Sequence, residues 1–432
     1  MVNVLLVHWH DVGRHLGAYG VMGAPSPVVD RLAGEGIRFD RACATAPLCS
    51  PSRGSIFTGL QPQAHGLLGL AHHGWRYAAG VRTLPALLSG HGWRTALAGM
   101  QHESTDARTL GFDELLAQDC GSRCDPVADA ASAWLRDAAR RESPFLLTVG
   151  FTEAHRPYDG YPPGDPASVE VPPYLPDNLS TRADLAAFHG AIRQADAATG
   201  RVLDALAAAG LADDTLVVFT TDHGIAFPRA KSTLYDTGIG VALVVRPPRA
   251  WRAPRHPTGQ LYSHVDLVPT VLDALGLPVP DGLHGVSHAP LLHGRDVPPV
   301  RGAVFAGKTY HDDYDPMRCV RTDRYKLIRS FAERPLLALP LDIAASPTAR
   351  GLGDDTDASR RRPPMELYDL TDDPWEQHNR ADDPAFAPVC DELRDRLTRW
   401  QLDTADPLLA GPVPPPDTSP PATSPPPWPP PK

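Results

Sequence analysis

Cysteine is scarce in this chain: six in 432 residues (Cys43, Cys49, Cys120, Cys124, Cys319 and Cys390), scattered rather than set at framework spacings. That excludes a disulfide-stapled scaffold and suits reduced thiols in a reducing compartment. Cys120 and Cys124 have the spacing to pair or to share a metal, but a lone C-x3-C has no second half, and free thiols are expected. Positive charge is in deficit as well, with 41 Lys and Arg against 51 Asp and Glu and a net charge of −10. Such a chain lacks the basic footprint that nucleic acid or an anionic membrane surface requires. Neither is expected as a partner, and an anionic substrate has to be held by a local basic pocket. Long apolar runs are missing too: no stretch approaches the roughly 20 residues of a membrane span. Val2 to Val7 is too short for the core of a signal peptide, so the chain as written is expected to be cytoplasmic. What remains is 42% hydrophobic and 21% charged, an ordinary globular composition with length for one large core and a smaller second unit.

Short apolar runs alternate with helical stretches along the chain. Asn3 to Val7, Arg94 to Ala98, Pro144 to Gly150 and Thr215 to Thr220 read as buried strands. Between them, Pro27 to Gly36, Thr83 to Gly92, Asp125 to Arg141 (Asp125 as N-cap, Pro126 as first helical residue) and Thr181 to Gly210 read as helices. Strands apolar on both faces and separated by helices imply a large, mostly parallel sheet flanked by helices, so the class is α/β. Past about residue 300 the runs shorten and become more polar, as in Ala303 to Ala306 and Tyr325 to Ile328, before a helix from Pro388 to Asp403. The expected organisation is a catalytic α/β domain over 1–300 and a smaller C-terminal subdomain with a short antiparallel sheet over 301–410. A tail over 411–432, with 12 prolines in 22 positions, cannot bury a core and is expected to be disordered or polyproline II.

The richest string is Cys49-Ser50-Pro51-Ser52-Arg53-Gly54-Ser55-Ile56-Phe57-Thr58-Gly59. Ser50 is a good N-cap and Pro51 a good first helical residue, which sets Cys49 just before a helix whose unpaired N–H groups and dipole favour an anion. Arg53 adds a planar fork of donors suited to a tetrahedral oxyanion. A buried structural thiol ahead of a capped helix is the plainer reading of a cysteine in this place.

Other chemistry-bearing residues fall just after the predicted strands, where sites in such sheets collect. His8, His10 and Asp11 follow the first strand, Met100, Gln101 and His102 the second, Glu153 and His155 the third, and Asp222 and His223 the fourth. Singly, each is an ordinary loop residue; together they form a set. Carboxylates such as Asp11 and Asp222 suit Ca²⁺ or Mg²⁺ better than zinc.

The Cys49 string resembles the sulfatase signature, Cys-x-Pro-x-Arg with a trailing Thr-Gly. The likeness extends to the sulfamidase branch through Thr181-Arg182-Ala183-Asp184-Leu185-Ala186-Ala187, Phe219 to Pro228, Asp315-Pro316-Met317-Arg318 and Glu366 to Leu370. The resemblance implies that Cys49 is oxidised by a formylglycine-generating enzyme and then serves as nucleophile and metal ligand. It further implies that Asp11, Asp222 and His223 hold a divalent cation, Ca²⁺ with Mg²⁺ as the alternative, and that Arg53, His102, His155 and Lys231 surround the sulfuryl group. His155 or His102 would protonate the leaving group. Two positions depart from the family pattern: the first of the usual paired metal aspartates is His10, and the usual lysine two residues before His102 is Met100. The implied substrate is a sulfated small molecule or sugar, a sulfamate, sugar O-sulfate or aryl sulfate according to loops such as His72 to Trp75 and Tyr310 to Asp313. A phosphonate or phosphodiester hydrolase of the same superfamily, and a non-catalytic cation-binding homologue with Cys49 left as a thiol, stay open.

Overall fold

Seven consecutive buried residues, Asn3–Trp9, form the central strand β1. The computed structural model describes residues 1–253, 255–295, 297–352 and 360–416. Seven further strands join β1 in one sheet: β2 (Ile37–Cys43), β3 (Arg94–Gly99), β4 (Glu114–Leu116), β5 (Phe145–Gly150), β6 (Thr215–Thr221), β7 (Leu243–Arg246) and β8 (Thr258–Ser263), in the order β4-β3-β5-β1-β6-β7-β2-β8. Its pairs are parallel except those made by β7, which runs antiparallel to both β6 and β2. The expected large, mostly parallel sheet is therefore present.

Both faces of β1 are apolar because both are covered. Leu5 and Val7 point into a core shared with the helices Cys124–Ala138 and Leu179–Ala208, while Val4 and Leu6 point into one shared with Leu84–Ser89 and Leu267–Ala274. The alternation is the period-2 geometry of a strand.

Two of the helices begin at local side-chain caps. Thr83 caps Leu84–Ser89 by accepting from the Ala86 N–H, and Asn178 caps Leu179–Ala208 by accepting from Thr181 N–H. The expected Asp125 cap is not formed: the helix begins at Cys124 after Arg123, and the Asp125 carboxylate takes Arg201 at 2.6 Å and Gln194 at 2.8 Å instead. A tertiary partner outcompeted the local N–H.

Four strands, β9 (Val304–Tyr310), β10 (Tyr314–Arg321), β11 (Tyr325–Ser330) and β12 (Met365–Asp369), make the antiparallel sheet β12-β11-β10-β9. The helix Ala387–Asp403 closes one face through Cys390, Leu393, Leu397 and Trp400 against Val320, Leu327 and Leu367. Of the proline-rich segment expected at 411–432, residues from 417 onward lie outside the described residues, and Val413 is tied by backbone bonds to the hydroxyls of Tyr310 and Tyr314. Among the described residues no helix is long and apolar enough to cross a membrane.

Register decides where the chemistry gathers. His8 on β1 pairs with Gly150 on β5 and Thr220 on β6, and Gly99 on β3 pairs with Gly150. The segments that follow these four strands therefore leave the sheet at one edge.

Candidate active site

The helix Cys49–Thr58 is buried at all ten positions and aims its first turn at that edge. It starts two residues earlier than expected. The chain enters from Leu48 in an extended conformation, Cys49 is already helical, and the Ser50 hydroxyl accepts from the Ala71 N–H at 3.0 Å rather than capping. Close packing holds the helix in place: a Cβ on Gly54 would fall 2.5 Å from the His65 ring, whose Nε2 donates to Pro51 O at 3.1 Å. Cys49 thus sits at a helix N-terminus facing the sheet, as an anion-binding position requires.

Opposite it, the turn after β6 presents Asp222 and His223. That turn is fixed by close backbone approach, since a Cβ on Gly224 would lie 1.9 Å from Thr237 O. The Ser52 hydroxyl adds a bond to Asp222 O at 2.5 Å and contacts His264 Nδ1 at 3.0 Å. Asp11 follows β1 in the left-handed region, φ 55°, which an aspartate tolerates, and its N–H donates to Asp222 Oδ1 at 3.0 Å.

Five ligating side chains converge as a result: His10, Asp11, Cys49, Asp222 and His223, one donor atom from each lying within 4.8 Å of the others and all five buried. His10 Nδ1 stands 2.9 Å from Asp11 Oδ1 and 3.2 Å from Asp222 Oδ2, and His223 Nε2 stands 3.1 Å from Asp11 Oδ1 and 3.3 Å from Cys49 Sγ. Two buried carboxylates face one another across this space. Burial alone would raise the Asp11 carboxyl, but Lys231 and the neighbouring histidines hold it well below the usual range; His223 and Arg53 likewise lower Asp222. His10, driven down by burial to about 4, is neutral near pH 7 and keeps a lone pair to offer. Two anions, two imidazoles and a fifth donor in a closed space fit a divalent cation.

The cationic partners lie on either side. Lys231 Nζ bridges Asp11 Oδ2 at 2.9 Å and Asp342 Oδ2 at 2.8 Å, and although burial disfavours its charge, those two carboxylates keep it protonated. Arg53 is fully buried, with Nη2 on Asp222 Oδ2 at 3.0 Å and Nη1 on His8 Nδ1 at 2.6 Å. Only its Nε lacks a protein partner.

His155 sits on the loop after β5, which Arg156 fastens by paired 2.8 Å bonds to Asp184 and a 2.8 Å bond to Ala226 O. Its Nδ1 donates to Arg156 O at 2.6 Å, leaving Nε2 directed at the site, 4.0 Å from Asp11 Oδ2. His102 lies further out. Its ring stacks on His72 at an interplanar angle of 3°, with Nε2 3.1 Å from His72 Nδ1, and burial holds it well below the usual histidine value. Met100 is 1% exposed, and its sulfur packs 3.6 Å from the Thr152 hydroxyl, which donates to Gly121 O at 2.9 Å. Gln101 cannot stand in for a missing lysine, because its amide is spent on Glu103 N, Ser104 N and Ser104 O.

His10, Asp11, Cys49, Arg53, His155, Asp222, His223 and Lys231 therefore meet at one edge with His102 in its outer layer, whereas Glu153 of the strand-end set turns away to the Cys124 N–H at 3.0 Å and to Arg123 at 3.2 Å. Three contributors were given no role by the sequence. His8 belonged to the strand-end set but carries its own role in holding Arg53; Ser52 was visible only as part of the helix string; Asp342 comes from a segment with no periodic signal and reaches the site only through the tertiary fold. The loops His72–Trp75 and Tyr310–Asp313 meet at the mouth, where the rings of Trp75 and Tyr310 are 5.4 Å apart.

Comparison with known proteins agrees with this geometry. The sulfatase family profile matches residues 2–277, and the profile described as N-sulphoglucosamine sulphohydrolase, C-terminal, matches 224–349. The human N-sulphoglucosamine sulphohydrolase is 31% identical, over 95% of this chain and 92% of its own length. An ulvan-active sulfatase of Formosa agariphila is 27% identical over 90% of this chain and 78% of its own. The crystal structure of a phosphonate monoester hydrolase from Agrobacterium radiobacter superposes with a TM-score of 0.71 at 21% identity, covering 95% of this chain and 97% of that one, a likeness of fold alone. The chain belongs to the sulfatase family, as a sulfamidase-like hydrolase of sulfate esters or sulfamates.

Proposed function

We propose that this chain hydrolyses a sulfate ester or sulfamate on a sugar, with formylglycine made from Cys49 as nucleophile and a divalent cation held by His10, Asp11, Cys49, Asp222 and His223. The observation that carries the reading is the convergence of Cys49, at a buried helix N-terminus, with two carboxylates, two imidazoles and the cations Lys231 and Arg53. A plain thiol would be a poor nucleophile here, since burial pushes Cys49 well above the ordinary thiol range. When bound, the cation would supply Lewis-acid stabilisation of the attacking hydroxyl and of charge on the sulfuryl oxygens.

The remaining roles belong to the chain itself. Lys231 is held charged beside Asp11 and offers its third N–H to a sulfuryl oxygen. Arg53, with both terminal nitrogens committed, orients Asp222 and lends positive charge. His155 is the better placed general acid: its Nδ1 is pinned to a carbonyl and its Nε2 faces the site, whereas His102 Nε2 is engaged with His72. The names of the relatives, N-sulphoglucosamine sulphohydrolase and ulvan-active sulfatase, support a sulfated sugar as substrate class. Because Cys49 to Thr58 is wholly buried, a formylglycine-generating enzyme has to reach Cys49 before the chain folds.

Peptide mass around Cys49, read with turnover, tests this function. The expected result is the exchange of H₂S for O at Cys49 and faster turnover of glucosamine N-sulfate or an aryl sulfate than of an aryl phosphonate. Preference for phosphonate would move the chain to that hydrolase class, and an inert protein with an intact thiol would make it a cation-binding homologue.

Met100 leaves one charge-assisted contact to the sulfuryl oxygens unmade, a bond worth about 1.5–3 kcal/mol. Met100→Lys is accordingly expected to raise kcat/KM on a small aryl sulfate by roughly ten- to hundredfold. A fall on every sulfate ester and sulfamate would show instead that the thioether's packing on Thr152 is what the site needs.

A further inference from the structure

The geometry points to a first-row transition ion of the Mn²⁺ to Zn²⁺ class as the cation this site selects over Ca²⁺. The inference rests on the reading above that the five-residue cluster holds a cation, and goes beyond it by naming the class.

The tautomer of His223 is fixed by its surroundings. Its Nδ1 lies 3.0 Å from Gly224 O, an atom that can only accept, so the proton of the neutral ring is on Nδ1 and the Nε2 lone pair faces Asp11, Asp222 and Cys49. His10 turns Nδ1 to the same point, at 2.9 Å and 3.2 Å from the two carboxylates. The four contacts between these imidazole nitrogens and carboxylate oxygens span 2.9 to 3.5 Å. Neighbouring ligands of a single ion with bonds near 2.1 Å stand about 3 Å apart.

Oxygen is in short supply around this point. Ca²⁺ takes about 6–8 oxygens and commonly gains them from carboxylates that bind through both atoms. Here neither carboxylate is free to do so. Asp11 gives Oδ2 to Lys231, and Asp222 gives Oδ1 to the N–H groups of Asp11 and His223. Asp11 Oδ1 and Asp222 Oδ2 remain to face the two nitrogens, and Asp222 Oδ2 also accepts from Arg53 Nη2 at 3.0 Å. The space between Asp11, His155 and Asp342, which would otherwise admit a second ion, is crossed by the Lys231 ammonium. An N₂O₂ donor set of this kind favours transition ions, with affinity rising from Mn²⁺ to Cu²⁺ and falling back at Zn²⁺, whereas an oxygen-only shell favours Ca²⁺.

Calorimetric titration of the chelator-treated full chain with Mn²⁺, Zn²⁺ and Ca²⁺, each repeated as a thermal shift, reads the selectivity directly. Zn²⁺ or Mn²⁺ is expected to bind at least tenfold more tightly than Ca²⁺. Cys49→Ala should keep that order, which would place it in the imidazoles rather than in a thiolate. His10→Asp, or His223→Asn if the first variant does not fold by circular dichroism, should cut the ratio at least tenfold. Ca²⁺ binding as tightly as the transition ions, loss of the order in Cys49→Ala, or an unchanged ratio in the folded histidine variant overturns the inference. A chain that prefers Ca²⁺ and still hydrolyses sulfate keeps the proposed function and loses only this selectivity; a chain that binds none of the three ions loses both.

Discussion

Cys49→Ala is expected to lower hydrolysis of every sulfate ester and sulfamate by a factor on the order of 10⁴ or more, with circular dichroism unchanged. The size of the effect follows from the proposed role: with formylglycine at position 49 as the nucleophile, its loss removes the covalent route entirely. The fold should tolerate the change. Burial favours the neutral thiol, and its sulfur lies 3.3 Å from His223 Nε2 and 3.9 Å from His10 Nδ1 while the side chain packs with Ala46, Leu48 and Leu70. Deleting one buried sulfur costs about 1 kcal/mol, small against the stability of a domain of this size. Full activity in a folded Cys49→Ala protein would remove residue 49 from the chemistry and leave the cluster as a metal site that activates water directly.

In the large sheet the four strands read from sequence, β1, β3, β5 and β6, are buried along nearly their whole length, where a continuous apolar run is its own signal. Their neighbours were not legible for identifiable reasons. β4 spans three residues, β2 is interrupted by Arg38 and the adjacent pair Asp40 and Arg41, and β7 is a short run whose antiparallel direction depends on β6 and β2 rather than on its own residues. Strand ends made Asp11, His155, Asp222 and His223 findable, because parallel register delivers every such end to the same edge. Ser50 and Asp125 failed as caps for a single cause: a side chain able to cap locally was taken by a distant donor, the Ala71 N–H in one case and Arg201 in the other. Asp342 had no local signal, and only the fold sets it against Lys231.

Asp222 is the residue whose loss should reach furthest, and two substitutions separate its roles. Its Oδ1 accepts from the N–H groups of Asp11 at 3.0 Å and His223 at 2.9 Å, which fixes the two loops; its Oδ2 faces His10 and the Arg53 guanidinium. Asp222→Asn retains an acceptor for the loop bonds but removes the charge, so the chain should fold, bind its cation at least a hundredfold more weakly and show almost no turnover. Asp222→Ala also strands Arg53, which is 0% exposed and would keep only its bond to His8. Breaking a buried ion pair from one side costs about 3–5 kcal/mol, and so Asp222→Ala should lower Tm by several degrees beyond Asp222→Asn. Metal content by elemental analysis together with Tm distinguishes the two. Equal Tm values would mean that Arg53 finds another partner, whereas full metal content in Asp222→Asn would take Asp222 out of the coordinating set and leave the cation to His10, Asp11, Cys49 and His223.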